Sequence, residues 1–150
     1  MVNITINRLL FGLFVVGIFQ PLCGLGVNDG SLTPCDSQWH CVITQNVNGE
    51  KPNAEPLTYH CSRQEAQQTL KDILSKFTRT TVVEERPGYI HAICESRLWK
   101  FIDDVEFYLP PDLSVIHIRS ASRTGIYDFG VNKRRVKRLK RLFSEILVAE

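Results

Sequence analysis

The 150-residue sequence lacks most of the devices that advertise a reaction. No two cysteines have the two-residue spacing of a zinc site. Neither adjacent pair, His40-Cys41 or His60-Cys61, can easily bring both members to one ion. No metal and no cofactor is therefore expected. The glycine pattern of a nucleophile elbow is missing around Ser122. Internal repeats and low-complexity tracts are absent. Net charge is also scarce: +2 creates no whole-molecule field toward nucleic acid, and no aromatic platform accompanies the basic residues. Nucleic acid is excluded as a partner on those grounds. What remains is ordinary for a globular chain, with 43% hydrophobic and 23% charged residues. The length fits one domain.

Long apolar runs are lacking too. "LLFGLFVVGIF" (9–19) has eleven residues, whereas a helix needs about 20 to cross a bilayer. One cation, Arg8, precedes it, and Gln20, Pro21 and the small residues of "CGLG" follow. That is the order of a secretory signal peptide, with Gly24 and Gly26 at the small-residue positions before a cleavage point. Left uncleaved, "LLFGLFVVGIFQPLCGLGV" is just long enough to reach across. Lipidation of Cys23 is a third route, poorly served by Gln20-Pro21-Leu22. Residues 1–26 are thus read as a signal peptide or N-terminal membrane anchor, and residues 27–150 as a single domain.

Cysteine use fits export. Without Cys23 the chain keeps Cys35, Cys41, Cys61 and Cys94, an even number that allows three pairings. The first choice is Cys35 with Cys41, because five intervening residues can close a loop; Cys61 and Cys94 are then buried thiols.

Residues 27–60 are rich in Asn, Gly, Pro and Gln and read as irregular, with one short strand candidate at 41–45 and Trp39 packed on the core. In "SRQE", Ser62 and Glu65 form a capping box. Ala66, Leu70, Ile73, Leu74 and Phe77 then follow helical spacing, predicting a helix over 63–77. Two runs rich in β-branched residues flank Pro87-Gly88, predicting a hairpin of 79–85 and 89–95. "KFIDDVEFYL" (100–109) sets Val105, Phe107 and Leu109 against Asp104, Glu106 and Tyr108, a strand with one face on a core. After the "PPDL" turn, 114–122 is the next strand. Val136, Leu139, Leu142, Phe143, Ile146 and Leu147 form the stripe of a helix over 133–148, with Asn132 as its cap. The fold class is α+β: a four-stranded antiparallel meander with two helices on one face, in the order helix, four strands, helix, preceded by an irregular Cys-containing segment.

The stretches "PCDSQWHCV", "FIDDVEFYL" and "IRSASRTGIYDFGVNKRRV" together resemble the bacterial and plastid proteins called domain of unknown function 1499. The resemblance covers most of the chain after residue 33. Trp39-His40 stands where that family tends to have a Pro-Asn pair. The resemblance implies an exported protein of the periplasm or thylakoid lumen, or one anchored in the membrane and facing that compartment. It implies no activity.

Three groups of residues carry the functional expectations. The first half of the last helix is crowded with Lys133, Arg134, Arg135, Lys137, Arg138, Lys140 and Arg141. Cations there oppose the helix dipole, so an anionic partner is a natural complement. Arg135 alone falls on the apolar stripe, facing the sheet, and needs a carboxylate from among Asp103, Asp104, Glu106 and Asp128. Third, "IRSASRTGIYDFGVNKRR" places Arg119 and Arg123 on one strand face and Ser120 and Ser122 on the other. Gly125 and Gly130 suit backbone angles that a side chain resists. Arg119, Ser122, Arg123, Asp128 and Arg135 are the candidate ligand-binding residues; Asp103, Asp104 and Glu106 are the candidates for structural ion pairs.

A non-enzymatic binding or structural module is the reading these residues favour. Its partner would be an anionic small molecule, a lipid headgroup or an envelope protein. The alternative is a hydrolytic enzyme using the sheet-face carboxylates, or Ser122 with His117 and Asp104. Asp103 and Asp104 point to opposite faces and cannot serve one bond; Asp104 and Glu106 share a face and can.

Overall fold

The computed structural model describes residues 25–97, 100–124 and 127–148. The N-terminal apolar run, Cys23 and Gly125 lie outside the described residues. Eight strands and two helices follow in chain order: β1 (Val27–Asn28), β2 (Ser31–Leu32), β3 (Cys41–Ile43), β4 (Leu57–Thr58), α1 (Arg63–Ser75), β5 (Thr80–Arg86), β6 (Tyr89–Glu95), β7 (Ile102–Tyr108), β8 (Val115–Ser122) and α2 (Val131–Val148).

Local signals explain most of these elements. Ser62 accepts from the Glu65 amide at 3.2 Å, and Glu65 accepts from the Ser62 amide at 2.8 Å, so α1 begins on a complete capping box. Pro87 and Gly88 join β5 to β6. Gly88 has φ +78°, and a Cβ there would lie 2.8 Å from the Leu109 carbonyl, so only glycine makes this turn without strain. β5 to β8 form the antiparallel meander expected from the alternation of their residues.

The sheet is wider than four strands. β3 pairs with residues 119–121 of β8, and β4 pairs with residues 115–116, so both line the same edge of β8. The segment expected to be irregular thus supplies two short strands, bringing the sheet to six: β3 lies within the candidate at 41–45, and β4, unanticipated, is two residues long and too short for an alternation pattern.

Both helices cover one face. Ile90, Ala92, Val105, Phe107, Ile116 and Ile118 meet Leu70, Ile73, Val136, Leu139 and Phe143 there in a continuous apolar core. The opposite face carries a smaller cluster, where Leu32, Ile43, Val47 and Tyr89 are buried with Val27 and Tyr108 against them. The β1-β2 hairpin and the chain after β3 therefore roof the second face, which the alternation alone suggested was open to water.

Two expectations are corrected. Trp39 does not pack on the core; it is 69% exposed. It sits in a loop closed by the Cys35–Cys41 disulfide, whose ends are tied down while its tip points outward. Asn132 does not cap α2. The helix starts at Val131, and Asp128 does the capping: it accepts from the amides of Gly130 at 2.7 Å and Asn132 at 2.8 Å. Gly130 turns the chain into the helix with φ +72°. Cys61 and Cys94 are free thiols; Cys94 is buried as expected, but Cys61, just before the start of α1, is only half-buried. No helix among the described residues is long and apolar enough to cross a membrane.

Candidate functional site

The register of β6, β7 and β8 decides which candidate residues meet. Asp103 pairs with Ser122, Val105 with Ser120 and Glu106 with Arg119. Side chains alternate along each strand, so Asp103, Ser120 and Ser122 share the helix face, while Asp104, Glu106, Arg119 and Arg123 share the roofed face. The candidate set is therefore divided by the sheet into two networks.

On the helix face, Arg135 reaches down from α2. Its Nη2 donates to Asp103 Oδ2 at 2.6 Å, and its Nη1 donates to Ser120 Oγ at 3.0 Å and to Asn132 Oδ1 at 2.5 Å. Ser122 donates to the second oxygen of Asp103. Asn132 sits within the helix and also donates to the His40 carbonyl at 3.1 Å. One guanidinium thus joins the helix to two adjacent interior strands, β7 and β8. The carboxylate partner of Arg135 is Asp103. Asp128, seven residues before Arg135 and just ahead of α2, is engaged by the amides of Gly130 and Asn132 instead.

On the roofed face, Glu106 is fully buried. It accepts from Tyr89 Oη at 2.8 Å, from the Gly26 amide at 2.5 Å and from Arg119 Nη1 at 3.2 Å. Burial and the neighbouring Glu106 charge push the Tyr89 phenol far up, so it stays protonated as the donor. Asp104 accepts two bonds from Arg123, both at 2.8 Å, and one from His91 Nε2 at 2.7 Å. Burial pushes the Asp104 carboxyl up, but the bonds and charges of Arg123 and His91 outweigh it and hold the group at about 2. Asp104 is ionised at neutral pH, so His91 carries the proton on Nε2.

Each arginine is matched to one carboxylate: Arg119 to Glu106, Arg123 to Asp104, Arg135 to Asp103. That matching limits the chemistry. A general acid needs a raised carboxyl, and Asp104 is the reverse. Ser122 lies on the opposite face from His117 and Asp104, so the hydrolytic grouping of these three is not assembled. Burial also lowers the His117 imidazole, against a smaller opposing effect from the Thr44 backbone. Among the described residues, no three His, Cys, Asp or Glu side chains converge as metal ligands. A cleft of about 650 Å³ lies away from both networks, between α1 and the β5-β6 turn. It is lined by Arg63, Gln67, Lys71 and Glu85, and its Lys71–Glu85 pair bridges it at 2.9 Å.

Tyr89, His91, Ser120 and Asn132 are network members beyond the candidates drawn from the sequence. Cross-strand register would have exposed two of them: once the Pro87-Gly88 turn fixes β5 against β6 and the next turn fixes β7, His91 must face Glu106 and lie diagonal to Asp104. Also unanticipated are Tyr127 and Phe129, which stand beside Trp39 at the start of α2. Trp39 and Tyr127 have ring centroids 6.1 Å apart, Tyr127 and Phe129 5.1 Å apart.

No curated protein matches the chain. Residues 31–143, which hold both networks and most of the two helices, match the family model described as "Protein of unknown function (DUF1499)". The chain belongs to that family.

Proposed function

We propose that the domain is a non-enzymatic binding module, which meets an anionic partner through α2 while the arginine–carboxylate networks hold the scaffold rigid. The observation that carries this reading is the charge left over on α2. Among the described residues, no ion pair engages Lys133, Arg134, Lys137, Arg138 or Lys140, whereas Arg119, Arg123 and Arg135 each have a carboxylate. Lys133, Arg134, Lys137 and Arg138 are all exposed. Cations in the first turn of a helix, here Lys133 and Arg134, are disfavoured by its dipole, by about 0.3–1 kcal/mol each, and an external anion relieves that cost.

A small anion bound at Arg119 or Arg123 itself is less well supported, since it would have to displace Glu106 or Asp104 from bonds already made. A hydrolase is disfavoured by the low Asp104 carboxyl and by the separation of Ser122 from His117.

The test is binding of the full chain to a soluble polyanion, dextran sulfate, over a salt series. Binding should weaken steeply with salt, since the Debye length falls from about 10 Å at 0.1 M to about 3 Å at 1 M. Lys133→Ala/Lys137→Ala should abolish it with no loss of thermal stability. Salt-insensitive binding, or an unchanged double variant, would overturn the reading.

A further inference from the structure

The start of α2 carries a second feature that charge alone does not require. Trp39, Tyr127 and Phe129 form an aromatic cluster with its rings in water: Trp39 is 69% exposed and Phe129 77%. Val131 beside them is exposed as well. Large apolar groups gathered at one point of a soluble surface mark an interaction site more often than isolated ones do.

The cluster is held in place from behind. The Trp39 loop is closed by the Cys35–Cys41 disulfide. The Trp39 carbonyl accepts from the Asp128 amide at 3.4 Å, and the His40 carbonyl accepts from the Ser122 amide at 3.1 Å and from Asn132 Nδ2. Phe129 has φ +53°, a left-handed conformation that a bulky side chain adopts only at a cost. Arg134 stabilises it by donating to the Phe129 carbonyl at 2.8 Å. The fold thus maintains strain at Phe129 and directs its ring outward. Nothing in the core benefits from that ring.

The cations stand beside the rings. Lys133 lines the same shallow cleft as Trp39 and Tyr127. Lys137 follows one turn along the helix, about 5 Å farther. Of the nearby acids, Asp128 is engaged by the amides of Gly130 and Asn132, and Asp36 sits on the disulfide loop. Aromatic rings with polar edges favour the interface between headgroups and acyl chains, and each nearby lysine or arginine adds attraction to anionic lipid.

We propose that Trp39, Tyr127 and Phe129, with Lys133 and Lys137, form a docking surface for an anionic lipid bilayer, in which the rings enter the headgroup region and the lysines meet lipid phosphates. This deepens the anionic-partner reading above and rests on it. The chemistry specifies an anionic headgroup and an apolar layer beneath it. A soluble polyanion offers only the first, and an acidic protein need not offer the second.

The experiment uses the full chain with vesicles of phosphatidylcholine alone and of phosphatidylcholine mixed with phosphatidylglycerol. Tryptophan emission is followed, with dextran sulfate in parallel. A blue shift is expected on the anionic vesicles only. Trp39→Phe should remove the Trp39 part of that shift, distinguishing it from Trp99. Phe129→Asn keeps a residue that tolerates the left-handed backbone. It should weaken the lipid-dependent shift about tenfold in lipid concentration, with dextran sulfate binding unchanged. Association driven by the N-terminal apolar run would be the same on both vesicle types and would leave Trp39 emission unmoved.

Dextran sulfate binding without a Trp39 shift on anionic vesicles overturns the bilayer proposal and leaves the anionic-partner reading standing. A shift that Phe129→Asn leaves unchanged overturns the role of the rings. Binding to neither overturns both.

Discussion

The two faces of one sheet build two different interiors from the same strands. Under the helices, Phe107 and its neighbours form an apolar core with a single polar corner at Asp103, Ser120 and Arg135. Behind the sheet, Glu106, Asp104, Arg119, Arg123, Tyr89 and His91 form a hydrogen-bonded layer roofed by the β1-β2 hairpin. Phe107 and Glu106 are adjacent, both fully buried, and of opposite character. Burial by itself does not require apolar residues. It requires that buried polar groups find partners, and Glu106 meets that condition with three kinds of donor, while Arg119 Nε and His117 Nδ1 on the same face are left without one among the described residues.

The comparison is broken most directly at these two neighbours. Phe107→Ala should cost about 3–5 kcal/mol through the cavity it leaves. Glu106→Ala should cost about the same for a different reason, because it strands the Arg119 charge and removes the acceptor of Tyr89. Chemical denaturation would show both. Glu106→Gln separates the causes: it keeps an acceptor and should recover more than half of the loss. If Glu106→Ala cost under about 0.5 kcal/mol, as a surface substitution does, the second face would be a solvated surface and not an interior.

Arg135→Ala probes the polar corner of the helix face. Arg135 is only 12% exposed and joins Asp103, Ser120 and Asn132. Its loss should cost about 3 kcal/mol, the low end for breaking a buried pair, since Ser122 remains on Asp103. A melting curve lowered by several degrees, with α2 helicity lost first in hydrogen exchange, is the expected result.

How much of this was legible follows the range of the signals. The Ser62-Glu65 box and the Pro87-Gly88 turn are local, and both helix and hairpin stand where those residues place them. The alternation in β7 correctly separated Asp103 from Asp104, and the stripe of α2 correctly turned Arg135 toward the sheet. Asp128 and Asn132 exchanged roles because both are good caps flanking Gly130, and only the helix start at Val131 distinguishes them. Trp39 lies in a short disulfide loop without periodicity, so nothing local tells inward from outward. The roof over the second face depends on contacts such as Gly26 to Glu106, eighty residues apart, which no local pattern records.

Acid sharpens the comparison further. The Asp104 carboxyl falls from an ordinary 3.8 to about 2 in the folded chain. At about 1.4 kcal/mol per pH unit, that is worth about 2 kcal/mol of stability. The folded value lies below the unfolded one, so the contribution is complete above about pH 4 and disappears as pH falls toward 2. Urea midpoints measured across that window should drop accordingly, and Asp104→Asn should flatten that part of the profile. A profile the same in the Asn variant would place the acid-sensitive group elsewhere.

The smallest effect is expected at the open end of the second face. Arg123 is 32% exposed, so water can replace much of what its removal takes from Asp104, and His91 remains as a donor. Arg123→Ala should therefore cost only about 1 kcal/mol at neutral pH. Its larger signature is in acid. Without the two Arg123 bonds, burial acts on Asp104 against His91 alone, the carboxyl rises, and the acid transition moves to higher pH. A modest neutral-pH loss with a clear upward shift in acid would mark Arg123 as a charge partner at a wet edge. A loss as large as that of Arg135→Ala would mean that the second face is sealed to its rim, and that the two interiors differ in chemistry but not in dryness.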